Sequence, residues 1–390
     1  MSFQMYVPTR ILFGEGQLNS LHTIQLPGKK ALIIISNGKS TRENGSLEQT
    51  VAQLNMANIE TVVFDQIMAN PLKSTVMAGA AFARQSGCDF IVALGGGSVM
   101  DASKAIAAMA TNEGDLWDYV YGGTGKGLTP TNAPLPIVAI TTTAGTGSEV
   151  DQWGVISNEE TNEKIGFGGY DNLFPKLAII DPKLMKSVPA RFTAYQGFDA
   201  LFHSVECYIS AAANLMGDMY ALTAIENIGK YLARAVKDGN DMEAREHVAF
   251  ANTLSGVVMT VSACTSEHSM EHAMSAYHQE LPHGAGLIMI SKEYFTYFIK
   301  NHGCDDRFIR MAQALGMTDA KKPMDFITAL VKLQKECGVD NLKMSDYGIK
   351  PDEFMTMARN ARATMGGLFG CDRVPLSDED CAAIFEKSYR

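Results

Sequence analysis

The chain has 390 residues, 46% of them hydrophobic, with a formal net charge of −10 and a mean hydropathy of −0.03. That length and apolar share allow two domains with sizeable cores, and the acidic balance argues against nucleic acid and anionic membranes as partners, since both select basic patches. The seven cysteines are odd in number and scattered, as expected of reduced thiols in the cytoplasm; with no leader-like N-terminus and no apolar run of about 18 residues, a cytoplasmic location is expected.

In chain order, Tyr6 to Phe13 reads as an early, isolated strand. Its unpaired edge predicts pairing with a second copy, so a homodimer is expected. KKALIIIS (29–36) reads as a buried strand, and Leu47, Val51 and Leu54 as the apolar stripe of a helix. TVVF (61–64) is a second strand, followed by a helix with Val76, Ala80 and Ala83 on one face. FIVALGGGS (90–98) and LPIVAITTT (135–143) are apolar strands that run into glycines or hydroxyls. Strands alternating with helices predict a mostly parallel sheet covered on both faces, which binds ligands at the carboxyl ends of its strands.

Nine of the thirteen prolines lie at or before Pro189, and none lies between Pro189 and Pro282. Long 3.6-period stripes fill that span, for example Leu222, Ile225, Gly229, Leu232 and Val236. Residues 1–185 are therefore expected to form an α/β, Rossmann-like dinucleotide-binding domain, and residues 186–390 an all-helical metal-binding and substrate domain.

Two strand ends suit a pyrophosphate. Gly95, Gly96, Gly97 and Ser98 follow an apolar strand and open a helix carrying Asp101 and Lys104, where glycines let backbone approach a phosphate and helix-start N–H groups attract it. Thr141, Thr142 and Thr143 lead into Ala144, Gly145, Thr146, Gly147 and Ser148 at the next strand end. The spacing is not GxGxxG, so the ordinary dinucleotide fingerprint is absent.

The second half concentrates imidazoles: six of the eight histidines lie from His203 to His283. Asp199 with His203, and His268 with His272, are four apart and share helix faces; His283 follows in LPHGAG. One carboxylate with two or three imidazoles suits Fe(II), Zn, Ni or Co better than Mg or Ca. Which histidines bind is open on spacing alone.

These motifs together resemble one family. GGGSVMDASKAIA is similar to the GGGSxxDxxK signature of the iron-containing (group III) alcohol dehydrogenases, and TTTAGTGSEV to their next motif. GFDALFHSVECYIS resembles the GxDALxHxxE run, and EHSMEHAMSAYHQELPHGAG the HxxxH…PHG signature. The resemblance spans nearly the whole chain and implies a dehydroquinate synthase-like two-domain architecture. It implies hydride transfer between a nicotinamide cofactor and a small alcohol or aldehyde, with Fe(II), or Zn, as Lewis acid. It assigns the metal to Asp199, His203, His268 and His283, and gives His272 a catalytic role without metal ligation. Cofactor contacts would fall on Gly38, Lys39, Ser40, Asn70, Gly95, Gly96, Gly97, Ser98, Asp101, Thr141, Thr142, Ser148 and Lys164. Glycerol-dehydrogenase-like and dehydroquinate-synthase-like enzymes share the build, and a non-enzymatic binding module is the third reading.

Two features depart from the family's common pattern. The interval from His268 to His283 is one residue longer, and GGLFGCDRVP, Gly366 to Pro375, replaces a GNPR-like run that helps close the substrate pocket. In NAD-preferring members an Asp stands just past the first long strand. Here that place falls on Gly38, and no carboxylate follows before Glu43. Lys39, Ser40 and Arg42 offer positive charge and a hydroxyl instead, which favours NADP(H) over NAD(H).

Overall fold

The computed structural model describes residues 2–390. By packing, the chain divides into two units: Tyr6–Thr143 with Gly147–Ser187, and Val188–Arg390 with Ala144–Thr146.

The first unit is built on a six-stranded sheet. Its strands are β1 (Arg10–Phe13), β2 (Lys30–Ser36), β3 (Glu60–Ile67), β4 (Phe90–Gly95), β5 (Ile137–Thr141) and, after a hairpin, β8 (Leu177–Ile180), in the order β1-β8-β5-β4-β2-β3. Every pairing is parallel. Such a sheet is covered on both faces, which explains why β4 and β5 are buried at every position and read as unbroken apolar runs. Ile33, Ile35, Val92, Leu94, Val138, Ile140 and Ile179 form its core with Leu47 and Leu54 of a crossing helix.

The helices of this unit are α1 (Ser40–Glu43), α2 (Ser46–Met56), α3 (Lys73–Ser86) and α4 (Gly97–Met109). The antiparallel hairpin is β6 (Trp153–Asn158) with β7 (Glu163–Gly168), closed by Asn162 in the left-handed region (φ 52°). Because β4 follows β3 in sequence but pairs with β2, the strand order reverses between β2 and β4. The crevice outside the carboxyl ends of those two strands is where sheets of this kind take ligands.

One expectation is corrected here. The N-terminal strand is not isolated: Arg10–Phe13 pairs in register with Leu177–Ile180 and is an edge of the main sheet. Its partner lies far along the chain, beyond the reach of any local pattern.

The second unit is helical: α5 (Ala190–Ile209), α6 (Leu215–Lys237), α7 (Met242–Val261), α8 (Ser266–Tyr277), α9 (His283–Lys300), α10 (Asp305–Ala314), α11 (Asp325–Glu336), α12 (Phe354–Phe369) and α13 (Asp378–Ser388). Side chains start several of them. Asn214 accepts from the Gly217 N–H at 3.0 Å before α6, and Asp241 from the Ala244 N–H at 3.0 Å before α7. Phe202 of α5, Phe295 of α9 and Phe326 of α11 bind the bundle, with ring centroids 5.9 and 5.5 Å apart. Truncating such a buried ring typically costs about 3–5 kcal/mol. Among the described residues no single helix is long and apolar enough to cross a membrane, and all seven cysteines are free thiols.

Candidate metal centre and dinucleotide loops

Three helices bring the metal-type residues of the second unit together. Asp199 and His203 lie one turn apart in the middle of α5, where all residues from Phe198 to Ile209 are buried. His268 lies in the first turn of α8, and His283 is the first residue of α9. Close backbone approach sets their separation. A Cβ on Gly284 would stand 2.2 Å from the Tyr195 carbonyl oxygen, so LPHGAG needs glycine there to seat α9 on α5. A Cβ on Gly145 would press on Asp199 Oδ2 and the Gln196 backbone at 3.1 Å, which explains a glycine in the TTTAGTGSEV loop.

The donor atoms converge on one carboxylate oxygen. Asp199 Oδ1 is 3.5 Å from His203 Nδ1, 3.5 Å from His268 Nε2 and 3.4 Å from His283 Nε2. These spacings are at the outer limit of hydrogen bonding. Donors about 2.1 Å from one ion in a tetrahedral array stand about 3.4 Å apart, and the three separations from Asp199 Oδ1 match that value, with Asp199, His268 and His283 offering donors all within 4.8 Å of one another. Asp199 Oδ1, His203 Nδ1 and His268 Nε2 are buried without a hydrogen-bond partner among the described residues, an arrangement that is costly unless a cation satisfies it. The site therefore fits a divalent metal, and its O and N donors suit iron(II) or zinc.

Electrostatics agree with that fit. Burial works against its charge, yet the imidazoles of His203 and His283 hold the Asp199 carboxyl well below the usual range. Burial pushes His203 down to about 3. Burial also opposes charge on His268, but the Glu206 and Asp199 carboxylates raise it well above the ordinary imidazole value.

Two carboxylates that the sequence reading did not single out orient these rings. Glu206 Oε1 accepts from His268 Nδ1, and Glu271 Oε2 accepts from His283 Nδ1. Each imidazole thereby carries its proton on Nδ1 and turns Nε2 to Asp199. The available signal was the final glutamate of the GxDALxHxxE run, Glu206, and a glutamate at the same three-residue spacing after His268, Glu271; both are fully buried in the structure. Glu267 faces Glu206, and burial together with that neighbour pushes its carboxyl well above the usual range.

His272 is buried one turn beyond His268, with ring centroids 6.2 Å from His268 and 5.2 Å from His283. Its Nδ1 lies 2.8 Å from Met365 Sδ, at a break in α12 where Met365 leaves helical geometry (φ −131°, ψ 41°).

In the first unit the glycine-rich motifs stand at the carboxyl ends of adjacent strands. Gly95 is in register with Thr141, and Gly96, extended, precedes the first turn of α4, which contains Gly97 and Ser98. Gly38 and Lys39 follow β2, and Ser40 opens α1. Asn70, left-handed at φ 53°, follows β3, and its Oδ1 accepts from Lys164 Nζ at 3.0 Å. Thr142 N–H donates to the Gly95 carbonyl at 2.9 Å, and Thr141 Oγ1 to the Thr143 carbonyl at 3.0 Å.

Asp101 and Ser148 are turned inward. Ser148 Oγ donates to Asp101 Oδ1 at 2.7 Å, and Val155 N–H to Asp101 Oδ2 at 2.9 Å. Lys104 Nζ, fully buried, donates to Ser148 Oγ and Asp151 Oδ1, each at 2.7 Å. Burial pushes Asp101 up to about 6 despite Lys104. These residues lock the start of α4 to the loop after β5 and to the hairpin.

Comparison with known proteins gives the same assignment for both units. The profile of iron-containing alcohol dehydrogenase matches residues 8–182, and that of the Fe-containing alcohol dehydrogenase family, C-terminal, matches residues 193–389. The chain belongs to the iron-containing alcohol dehydrogenase family. It is 34% identical to 1,3-propanediol dehydrogenase of Klebsiella pneumoniae and 33% identical to NADH-dependent butanol dehydrogenase A of Clostridium acetobutylicum, each over 100% of both chains. A solved alcohol dehydrogenase from a halo-thermophilic archaeon of a Red Sea brine pool superposes with a TM-score of 0.94 at 33% identity, covering 100% of this chain and 99% of that one. The parallel sheet with a helical partner unit is the architecture of this family, and its activity is that of an alcohol or aldehyde oxidoreductase.

Proposed function

We propose that Asp199, His203, His268 and His283 hold iron(II), and that the enzyme interconverts small alcohols and aldehydes with His272 moving the proton. The observation that carries the reading is that Asp199 Oδ1, His203 Nδ1 and His268 Nε2 are buried without a hydrogen-bond partner among the described residues, with His283 Nε2 3.4 Å from the same Asp199 oxygen. Bound there, an ion would supply Lewis acidity toward the substrate oxygen, and a nicotinamide would supply the hydride chemistry. Asp199 contributes the negative charge, while Glu206 and Glu271 keep two imidazoles in the tautomer that directs Nε2 to the ion. With His272 Nδ1–H donating to Met365 Sδ, the Nε2 lone pair is the site that takes up and returns the exchanged proton. Relatives named for propanediol and butanol support a short substrate.

The cofactor reading places the pyrophosphate on Gly95–Ser98 at the start of α4, with Asn70, Thr142 and Lys164 nearby and Thr141, Asp101 and Ser148 bracing the loop. NADP(H) is the preferred form. Support comes from Gly38, Lys39 and Ser40 at the end of β2, a turn without a carboxylate; Arg42, just beyond, pairs with Asp65 at 2.6 Å. The butanol dehydrogenase relative is itself named NADH-dependent, so the NADP(H) reading rests on this turn alone. The dimer reading rests on β1, which has β8 on one side only and leaves Ile11 38% exposed. Free thiols support a cytoplasmic location.

Protein purified without oxygen should contain iron and oxidise NADPH with short aldehydes, followed by the near-ultraviolet absorbance of the reduced cofactor. His203→Ala should lose metal and turnover together while keeping its fold. Full metal content and turnover in that variant would reject the ligand set.

A further inference from the structure

The segment Gly366–Pro375, which the sequence reading set apart from the family's common run, grips two of the three helices that carry the metal-facing residues, α5 and α8. At the C-terminal end of α5, Arg373 Nε donates to the Ile209 carbonyl at 2.8 Å and Arg373 Nη2 to the Ser210 carbonyl at 2.9 Å. Beside it, the Cys371 carbonyl accepts from the Ala211 N–H at 2.8 Å. At the start of α8, Asp372 Oδ1 accepts from the Ser266 N–H at 3.0 Å. A guanidinium at a helix C-terminus and a carboxyl at an N-terminus are both where the helix dipole favours them.

The contacts continue inward. Asp372 Oδ1 is 3.3 Å from the hydroxyl of Tyr294, a fully buried residue of α9. That hydroxyl lies 3.0 Å from Thr265 Oγ1 and 3.0 Å from Ser266 Oγ. Thr265 donates its N–H at 2.8 Å and its hydroxyl at 3.0 Å to Glu206 Oε2. Glu206 uses its other oxygen for His268 Nδ1. A threonine hydroxyl that donates to Glu206 keeps lone pairs to accept from Tyr294, so the single Tyr294 proton goes to Thr265 and on toward Glu206, while Asp372 holds the same turn by accepting from the Ser266 N–H next to Thr265.

We propose that Tyr294 and Asp372 are positioning residues of the metal centre, acting through Thr265 and Glu206 on the imidazole of His268. The inference rests on the metal reading above. Glu206 is completely buried, so its donors alone determine where its two oxygens point. Removing one donor lets the carboxylate rotate, and the ring that it steers turns with it. In a buried network each bond depends on its neighbours. Carboxylates that orient ligating histidines typically change metal affinity about 10–100-fold, and the residues that hold such a carboxylate are expected at the lower end.

The test measures zinc affinity of the full chain by competition with a chelating dye. Compared are wild type, Tyr294→Phe, Asp372→Asn, Glu206→Gln, both doubles with Glu206→Gln, and Leu330→Ala as a remote core truncation in α11. Tyr294→Phe and Asp372→Asn should each weaken zinc binding about tenfold, and should add little once Glu206 is already Gln. Three results would overturn the inference alone: unchanged affinity in both single variants, the same weakening with or without Glu206, or equal weakening in Leu330→Ala at a matched loss of Tm. A wild-type chain that took up no zinc would overturn the metal reading and this inference with it.

Discussion

Glu271 of α8 accepts a hydrogen bond from Nδ1 of His283, the residue that opens α9, across the loop 278–282. The bond fixes a ring that is partly exposed, in contrast to the buried His203 and His268. Glu271→Ala should therefore lower metal affinity about 10–100-fold, read as faster metal loss to a chelator. An unchanged rate of loss would show that the ring is held by packing alone.

Metal capture should release a proton. In the metal-free protein burial opposes charge on His268 while the Glu206 and Asp199 carboxylates raise it well above the ordinary imidazole value and so favour its protonated form, whereas burial pushes His203 down to about 3 and favours its neutral form. Its ring stacks on His268 at 4.2 Å, which disfavours a second positive charge. Binding at pH 7 should release about one proton per ion, measurable by calorimetry in buffers of different ionisation enthalpy; heats independent of the buffer would refute this.

The same two groups shape acid and base stability without metal. The His203 contribution is complete above the unfolded imidazole value of about 6.5 and is lost as pH falls toward 3, because only the unfolded chain takes up the proton. The raised His268 contributes fully below about 6.5 and loses its contribution as pH rises through its folded value. Denaturant midpoints of metal-free protein should therefore peak in the mildly acidic range, and a midpoint rising steadily to pH 9 would contradict the assignment.

Lys104 supports the loop after β5 from beneath. Lys104→Met would leave Asp151 and Asp101 buried without their cation, a loss of about 3–5 kcal/mol for a broken buried pair. Chemical denaturation should show it, together with weaker dinucleotide binding. Wild-type stability would mean that water replaces the ammonium.

The cofactor turn makes a separate test. Gly38→Asp should shift preference toward NAD(H) through repulsion of a 2′-phosphate, and Lys39→Ala should weaken NADPH more than NADH. A higher kcat/KM with NADH than with NADPH in the unmodified enzyme would refute the NADP(H) reading and leave the family assignment intact.

The sequence made the α/β half legible because fully buried parallel strands read as unbroken apolar runs, and β2, β4 and β5 do so. The i,i+4 pairs Asp199/His203 and His268/His272 were visible because a helix places such residues on one face. Other features were not legible. Glu206 and Glu271 look like any helical glutamate until their burial is known. The hydrogen bond that Ser148 gives to Asp101, two residues in separate motifs, could not be read from either motif. The partner of Arg10–Phe13 could not be read locally, because it is Leu177–Ile180.

That last pairing bears on how the protein is made. β1 leaves the ribosome first, yet its hydrogen-bonding partner β8 is the last strand of the sheet to be synthesised. Ile11 and Leu12 must therefore wait, unpaired, while β2 to β5 associate, and loop closure over so long a span makes the final step slow. An exposed apolar strand during that interval is a site for chaperone capture or for pairing with another nascent chain. Slowed translation between β5 and β8 should raise aggregation of this enzyme more than slowing after Ile180.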